Sequence, residues 1–274
     1  MRLATTRLVI LISLLLLIDC PAILAQGRDG DWSSPVNVSG GANDRPMPAG
    51  DAWFPDLAVD RNERVHMVWS DTRPLSGQDI EETDGLPERV YYSVGKGRSW
   101  SDPNDIIQPN REIIRSAIAV DRDDLLHMVY RYRSRGLGTT AMYYTQAPAG
   151  TAWSATSWSP GQLINARGQS YMADLAIDSK GVLHLIFDDI GDIESEICPV
   201  CADIYYRRSA DNGRTWSAAK NLGAMPLGAS REQIEIGADD TIHVTWDEGW
   251  DRITGRGDPT YGVYTFSTDG GDTW

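Results

Sequence analysis

The sequence predicts an all-β fold, a β-propeller of four-stranded antiparallel blades, and three observations support that prediction. The first is a histidine-centred phrase that recurs roughly every 60 residues, the length of one complete supersecondary unit; its copies are centred on His66, His127, His184 and His243. The second is that an alternating apolar segment precedes each phrase and a third apolar segment follows it. The third is that no stretch of the four units is long and periodic enough to predict a helix. Four antiparallel strands repeated at this interval are typical of propeller blades.

Each unit contains four predicted strands in a fixed order. The first strand alternates in character and lies at 56–60, 117–121, 174–178 and 233–236. The histidine strand is apolar on both faces and has the length of a buried strand. A long variable loop leads to the third strand, at 90–93, 142–145, 204–207 and 263–266. A tight hairpin and a Trp-Ser pair then begin the fourth strand, at 100–101, 153–154 and 216–217.

These units form one predicted propeller domain at 26–274. Its blade repeats span approximately 53–110, 111–165, 170–225 and 230–274, and an outer strand is predicted at 31–38. Two interpretations of the blade number follow. In one, the N-terminal strand completes the last blade and closes a ring of four. In the other, which we favour because the sequence stops at the close of a motif, the four blades are part of a longer propeller.

The four histidines are interpreted as scaffold. A substrate is not symmetric about the propeller axis, so catalysis needs different side chains from different blades, and a residue present in every unit is not expected to be catalytic. A histidine on a buried strand can instead satisfy its ring nitrogens from a neighbouring strand. The aromatic residues that follow are assigned to the core by the same reasoning, namely Trp69, Tyr130, Phe187 and Trp246. A ring of proton shuttles is the alternative interpretation.

Two hairpins share the pattern Ser-x-Asp-x-Gly-x-Thr-Trp. The Asp side chain can accept N–H groups of its own turn, and the glycine permits positive φ where the chain reverses. The tryptophan can bury its large face between neighbouring sheets. The segment 93–100 is interpreted as a degenerate copy without the Asp, and the copy that ends at Trp153 is more eroded. The intact copies consist of Ser209, Asp211, Gly213, Thr215 and Trp216, and of Ser267, Asp269, Gly271, Thr273 and Trp274.

Through these two turns, in register with the blade repeat, residues 29–274 resemble the Asp-box (bacterial neuraminidase repeat, BNR) family of sialidase-like β-propellers. The resemblance implies a propeller of six blades, of which four are present here. It also implies that the turns are structural and lie on the face away from the active site. The family's active site combines an arginine triad that grips the substrate carboxylate, an Asp acid/base, and a Tyr nucleophile assisted by Glu. Sialidases are an exception among glycoside hydrolases in using Tyr as the nucleophile.

The chain departs from the family's pattern at the first arginine. The family's first arginine corresponds to Trp53 in this sequence, and Arg45 is the nearby substitute. A bidentate arginine clamp is the feature that such a site can least do without. The family's Tyr nucleophile would lie beyond Trp274. The missing arginine motif and the eroded copies of the hairpin pattern favour a role in binding over a role in catalysis.

Other positions match the family's layout. Arg73 with Asp84 or Asp79 follows the arrangement of the arginine and the acid/base in the first long loop. Arginines also precede the inner strands of units two and four at equivalent places, and a glutamate lies near the position of the assisting Glu. The predicted catalytic residues are Asp84 and Glu232, and the predicted substrate-binding residues are Arg45, Arg73, Arg115 and Arg231.

The N-terminal segment predicts export. Residues 1–25 combine two arginines, a short apolar run and an Ala-x-Ala-like exit, which is typical of a cleaved signal peptide. The protein is therefore expected to be secreted or held at the cell surface, without a membrane-spanning segment. In an exported protein, the pair Cys198 and Cys201 predicts a local disulfide, and a zinc site is the second interpretation.

Acidic residues dominate the chain, whose net charge is −14. Much of that charge lies in the loops after the second strands of units one and three, 71–88 and 188–203. We expect a solvated acidic rim; the alternatives are calcium held by clustered carboxylates, or carboxylates for glycoside hydrolysis. No other cofactor is predicted. The acidity opposes binding to phosphate backbones, so nucleic acid is not an expected partner.

Two functional hypotheses follow from the sequence. The first is a non-catalytic propeller that binds glycans or glycoproteins at the cell surface, favoured by the missing arginine motif. The second is an exo-glycosidase of sialidase type that hydrolyses terminal sugars of glycoconjugates. The oligomeric state is not indicated. Fold class does not decide between the two functional hypotheses, because propellers host many functions.

Overall fold

The computed structural model describes residues 33–40, 51–72, 88–107, 113–133, 140–190, 201–223, 227–250 and 257–274. These residues form four antiparallel sheets arranged as the four blades of a β-propeller, with the first strand of each blade innermost. The predicted fold class is confirmed. The helical content of the described residues is one 3₁₀ turn at Ala155–Ser157.

The strands of each blade follow the predicted order. Blade 1 contains β1 Ala52–Val59, β2 Val65–Asp71, β3 Arg89–Lys96, β4 Ser99–Trp100 and β5 Asn104–Asp105. Blade 2 contains β6 Ile113–Val120, β7 Leu125–Arg133, β8 Thr140–Pro148 and β9 Gln162–Gly168. Blade 3 contains β10 Ala173–Ile177, β11 Leu183–Ile190, β12 Ala202–Ser209 and β13 Lys220–Asn221. Blade 4 contains β14 Ala229–Ile236, β15 Ile242–Glu248 and β16 Tyr261–Ser267.

Among the described residues, three layers of the hydrophobic core each lie between two successive blades, and a smaller cluster lies around Trp69 of blade 1. Side chains on the strands alternate between the two faces of a blade, so both faces of the middle blades are buried. This explains why the histidine strands are apolar throughout. The aromatic residues assigned to the core are buried as predicted, at Trp69, Tyr130, Phe187 and Trp246.

An Asp–His–Tyr relay recurs in blades 1 to 3. In blade 3, His184 is fully buried, its Nδ1 lies 2.7 Å from the Tyr206 hydroxyl, and its Nε2 lies 3.4 Å from a carboxylate oxygen of Asp178. A neutral imidazole carries one N–H, so when Nε2–H faces the carboxylate, Nδ1 accepts the tyrosine proton. Burial lowers the pKa of the histidine and favours this neutral form. The equivalent relays are Asp60–His66–Tyr92 and Asp121–His127–Tyr144.

The tyrosine of each relay is covered by a tryptophan of the next blade. Trp216 packs edge-on against Tyr144 with ring centroids 5.5 Å apart, and Trp274 packs in the same way against Tyr206 at 4.9 Å. The two intact turns bring these tryptophans into place. In the first, Ser209 donates to Asp211, while the backbone and hydroxyl of Thr215 donate to the two carboxylate oxygens. The second turn repeats these bonds.

The glycine of each intact turn allows close contact with the tyrosine. Gly213 has a φ of 78°, and a Cβ added there would lie 2.2 Å from Tyr144 ring atoms. A Cβ at Gly271 would lie 2.2 Å from the Tyr206 hydroxyl oxygen. The pattern therefore needs glycine both for its backbone conformation and for the space that a side chain would fill.

Blade 2 departs from the predicted arrangement. Trp158, not Trp153, packs against Tyr92 of blade 1, and Ser159 makes the bonds to the third strand that Ser217 makes in blade 3. Trp153 is 59% exposed. The fourth strand of this blade starts later than predicted, because the 3₁₀ turn adds residues before it.

The segment 93–100, predicted to be a degenerate copy without the Asp, is a shorter hairpin than the intact turns. Gly95 pairs with Trp100, and Ser93 bonds to Ser101 instead of to its own turn. One detail of blade 1 was predicted wrongly. Residues 33–38 are not in strand conformation, so the described part of the outer strand expected at 31–38 is absent. Val38 instead packs with Trp69 and Tyr91.

We predict that Gly213→Ala destabilises the fold far more than Gly181→Ala. Both glycines have positive φ, but a Cβ at Gly181 meets nothing within 4 Å. Gly181→Ala should therefore cost about 1 kcal/mol of backbone strain, and Gly213→Ala about 3 kcal/mol because the methyl group also displaces Tyr144. Urea unfolding measures both values. Equal losses would show that the close packing on Tyr144 contributes nothing.

The two tryptophans of blade 2 provide a second prediction. Trp158→Ala should lower the free energy of unfolding by about 3 kcal/mol or more, because it empties a buried site against Tyr92. Trp153→Ala should change it by less than about 0.5 kcal/mol, as expected for an exposed side chain. A large loss at Trp153 in thermal or urea unfolding would contradict the assignment.

Candidate functional site

A cavity of about 550 Å³ opens where the inner strands begin, at the end of the propeller that we call the cavity end. The Asp–His–Tyr relays and the two intact turns lie at the opposite end of the same strands. All four blades contribute side chains to the cavity. Its wall includes Phe54, Asp56, Arg115, Met172, Asp174, Arg231, Glu232 and Asp247.

Three inner strands carry the same irregularity at the cavity wall. Phe54, Arg115 and Arg231 have φ values of 54°, 54° and 59°, and the pairing register of their strands shifts at each of these points. Left-handed backbone is uncommon for residues other than glycine and costs about 1–3 kcal/mol. The irregularity turns each side chain out of the sheet and towards the cavity. Met172 occupies the equivalent place in blade 3.

Arg115 is held between two aromatic rings. Its guanidinium carbon lies 3.6 Å from the centroid of Phe54 and 3.8 Å from the centroid of Tyr171, and its Nη2 donates to the Tyr171 hydroxyl at 2.6 Å. Its backbone N–H donates to Ser70 of blade 1. Cation–π contacts of this kind stabilise a cation that is partly removed from water. The arginine is therefore preorganised at the wall of the cavity.

Arg231 lies on blade 4 and is more exposed than Arg115. Its Nε donates to Asp247, and its guanidinium carbon lies 5.7 Å from the Trp250 ring. Because the ion pair is partly open to water, it leaves the remaining N–H groups of Arg231 able to bind a ligand. The two arginines thus approach the cavity from blades 2 and 4.

Two aspartates line the cavity together with the arginines. Asp56 of blade 1 accepts the N–H of Ile118 on blade 2, and Asp174 of blade 3 accepts the N–H of Ile234 on blade 4. Each aspartate therefore joins two inner strands. Burial raises the pKa of Asp174 to about 6 and also raises the pKa of Asp56.

The structure places some of the predicted site residues together. Arg115, Arg231 and Glu232 all line the cavity, and Glu232 is buried. Arg45, Arg73 and Asp84 lie outside the described residues. Phe54, rather than Trp53, is the blade 1 residue equivalent to Arg115.

Sequence reasoning missed four residues of the site, Phe54, Asp56, Tyr171 and Asp174. A signal for the two aspartates was present, since each opens one of the alternating first strands. The aromatic pair around Arg115 had no such signal, because the two rings come from different blades.

The prediction of a solvated acidic rim is wrong for four of the five carboxylates that the structure describes in these two loops; the fifth, Glu88, is half-buried. Asp71, Asp188, Asp189 and Asp203 are all buried. Asp188 accepts the N–H groups of Tyr171 and Met172, and so fixes the segment that enters blade 3. Buried carboxylates are stable when such donors surround them.

Other predictions concern the cysteines, metals and membranes. Cys201 is disulfide-bonded, and its predicted partner Cys198 lies outside the described residues. Within the described ranges, no group of three or more His, Cys, Asp or Glu side chains is arranged to hold a metal ion. No helix among these residues is long and apolar enough to cross a membrane.

Comparison with solved structures shows a shared fold. The NanB sialidase of Streptococcus pneumoniae superposes with a TM-score of 0.59 at 12% identity, over 88% of this chain and 53% of that chain. An α-L-arabinanase of Penicillium chrysogenum gives a TM-score of 0.59 at 13% identity, over 87% and 69% of the two chains. A family GH93 α-L-arabinofuranosidase of Fusarium graminearum gives 0.54 at 10%, over 80% and 63%. The chain thus has the β-propeller fold of these glycoside hydrolases.

Comparison by sequence gave no relative. No protein-family model and no curated protein matches the chain.

We predict a pH-dependent contribution from Asp174. Its folded pKa of about 6 lies above the ordinary value of 3.8, so the folded state binds the proton more tightly. The favourable contribution of Asp174 to the free energy of unfolding is therefore complete below pH 4 and is lost as the pH rises to about 6. Relative to Asp174→Asn, the free energy of unfolding of the wild type should fall by about 2 kcal/mol over this range. A constant difference in urea unfolding between pH 4 and pH 7 would contradict this assignment.

Proposed function

We propose that the protein is an exported β-propeller that binds carbohydrate in the cavity at its cavity end. The observation that carries the proposal is the preorganised Arg115, which lies between Phe54 and Tyr171 on the wall of that cavity. The carbohydrate-active propellers that share the fold support the same class of ligand. The predicted signal peptide supports export, and glycans or cell-surface glycoproteins are the ligands that we propose.

The chemistry of the cavity suits a sugar. Binding sites for small ligands combine apolar surface with a few convergent polar groups, and this wall offers Phe54 and Met172 beside two arginines and a glutamate. Arginine N–H groups donate and carboxylates accept, so both roles of a sugar hydroxyl can be matched. The resemblance to sialidase-like propellers adds that the bound sugar carries a carboxylate gripped by the arginines.

A second candidate is an exo-glycosidase of sialidase type. Glu232 and Asp174 both line the cavity, and burial keeps the pKa of Asp174 near 6, within the range useful for a general acid. Glycoside hydrolysis ordinarily needs two carboxyl groups or, in sialidases, a tyrosine nucleophile. We favour binding, because the Asp174 carboxylate accepts the N–H of Ile234 and so joins blades 3 and 4.

The binding proposal predicts a defined loss in Arg115→Ala. Isothermal titration with sialyllactose should show binding to the wild type, and arabinobiose, a sugar without a carboxylate, should bind more weakly because it cannot pair with the arginines. Arg115→Ala should weaken it by roughly tenfold or more, about 1.4 kcal/mol. Arg214→Ala is the control, since Arg214 lies in an exposed turn at the opposite end. Absence of binding to a broad glycan array, or equal losses in both variants, would refute the proposal.

The enzyme candidate has its own test. Release of a fluorophore from sialosides and from arabinofuranosides should be measured for the wild type and for Glu232→Gln. Turnover that disappears in Glu232→Gln, while sugar binding persists, would establish the glycosidase. Binding without turnover across these substrates would leave the binding role alone.

A further inference from the structure

One position of the repeat contacts the wall of the cavity from behind. It is the second-strand residue that directly follows the core aromatic of each blade. Ser70 of blade 1 accepts the backbone N–H of Arg115 at 3.0 Å, and the guanidinium carbon of Arg131 of blade 2 lies 4.5 Å from the ring centroid of Tyr171. The member in blade 4 forms the ion pair with the cavity arginine described above. The residues at this position are Ser70, Arg131, Asp188 and Asp247.

Asp188 of blade 3 makes contacts on both sides of its strand. The residue is fully buried, and its Oδ1 accepts the backbone N–H groups of Tyr171 at 2.8 Å and Met172 at 2.9 Å. Its Oδ2 accepts the hydroxyl of Ser230, on the inner strand of blade 4, at 3.3 Å. Hydrogen bonds to a carboxylate are stronger than those between neutral groups. One carboxylate therefore fixes both the segment that enters blade 3 and the start of the inner strand of blade 4.

These bonds connect the two cavity arginines. Tyr171 holds Arg115 through its ring and its hydroxyl, and Ser230 directly precedes Arg231 in the chain. The backbone of Arg231 is left-handed, a conformation that persists only when the surrounding structure holds it. A continuous series of contacts thus runs from Arg115 through Tyr171, Asp188 and Ser230 to Arg231, across blades 2, 3 and 4.

We infer that Asp188 is a positioning residue that sets the spacing of Arg115 and Arg231 for a sugar carboxylate, an inference that rests on the proposed function. It acts through Tyr171 and Ser230. Groups that bind one ligand together must be held close to the productive geometry by the bonds behind them. A sugar without a carboxylate does not need the two arginines at a fixed separation. Asp188 should therefore matter for a carboxylated sugar and much less for a neutral one, whereas a purely structural residue would affect both sugars equally.

Isothermal titration of the full chain with two sugars tests this difference. Asp188→Ala should weaken the binding of sialyllactose by roughly tenfold or more, and the binding of arabinobiose by less than about twofold. Asp188→Asn should recover most of the affinity for sialyllactose, because its amide oxygen still accepts both N–H groups and its amide nitrogen can donate to Ser230.

Asp203→Ala is the matched control. Asp203 is another buried carboxylate of blade 3, and it accepts the side-chain amide of Asn221 on the outer strand of that blade. This variant should leave the ratio of the two sugar affinities unchanged. The inference would be overturned by equal weakening of both sugars in Asp188→Ala, by the same change of ratio in Asp203→Ala, or by no recovery in Asp188→Asn.

A measurement without sugar separates this inference from the proposed function. The Nε–H signal of Arg115 in NMR spectra, identified by its loss in Arg115→Lys, should be displaced by the rings of Phe54 and Tyr171 that lie against the guanidinium. Asp188→Ala should move that signal towards the position of a free arginine, and Asp203→Ala should not. If the wild type binds neither sugar, the proposed function fails, and this signal alone decides the role of Asp188.

Ser230→Ala keeps the test decisive if Asp188→Ala does not fold. It removes the hydroxyl that joins Asp188 to blade 4 and leaves the bonds to Tyr171 and Met172 in place. The variant should weaken sialyllactose binding severalfold, leave arabinobiose binding unchanged and leave the Arg115 signal where it is. Unchanged affinity for sialyllactose in Ser230→Ala would contradict the inference.

Discussion

The buried relay of Asp, His and Tyr is the interaction on which the architecture depends. The relay joins three parts of one blade, namely the turn after the inner strand, the second strand and the third strand. Its tyrosine also packs against the tryptophan of the next blade. A buried imidazole is costly unless its ring nitrogens have partners, and in blades 1 and 2 both ring nitrogens lie within hydrogen-bond distance of the tyrosine or the aspartate. Because burial lowers the pKa of His66, its imidazole favours the neutral form, while the hydrogen bonds that Asp60 accepts lower the pKa of that carboxyl group and keep it ionised. The relay is therefore interpreted as part of the scaffold rather than as a proton shuttle.

Fixing one end of each blade in this way leaves the other end free to vary. The relay repeats almost unchanged, whereas the inner strands present Phe54, Arg115, Met172 and Arg231 at the equivalent places of the cavity wall. The backbone repeats, with left-handed residues in three of the four blades, but the side chains do not. A symmetric scaffold thereby carries an asymmetric site, which is what recognition of a single ligand requires.

The repeat made the fold predictable, because a histidine phrase in register with alternating segments leaves few arrangements open. Local sequence patterns predicted the position of a strand less well where an insertion changes the spacing of the repeat. Trp153 matched the expected Trp-Ser pair, yet its side chain is exposed. The 3₁₀ turn after it adds residues, so that Trp158 is the buried tryptophan of this blade. Burial of Asp188 was also invisible in the sequence, since its donors at 171 and 172 lie on a separate segment. Contacts between blades determine the site, and a single sequence does not encode them locally.

The cavity and the stability of the scaffold are coupled through Asp56 and Asp174. Each accepts a backbone N–H from the next inner strand, so the residues that form the floor of the site also hold the inner strands together. A charge on Asp174 is disfavoured by burial, and a nearby arginine or a ligand cation would favour it. Ligand binding, protonation of Asp174 and the contact between blades 3 and 4 are therefore thermodynamically linked. A ligand that donates a hydrogen bond to Asp174 stabilises its carboxylate and lowers its pKa, so its affinity rises as the pH passes above 6.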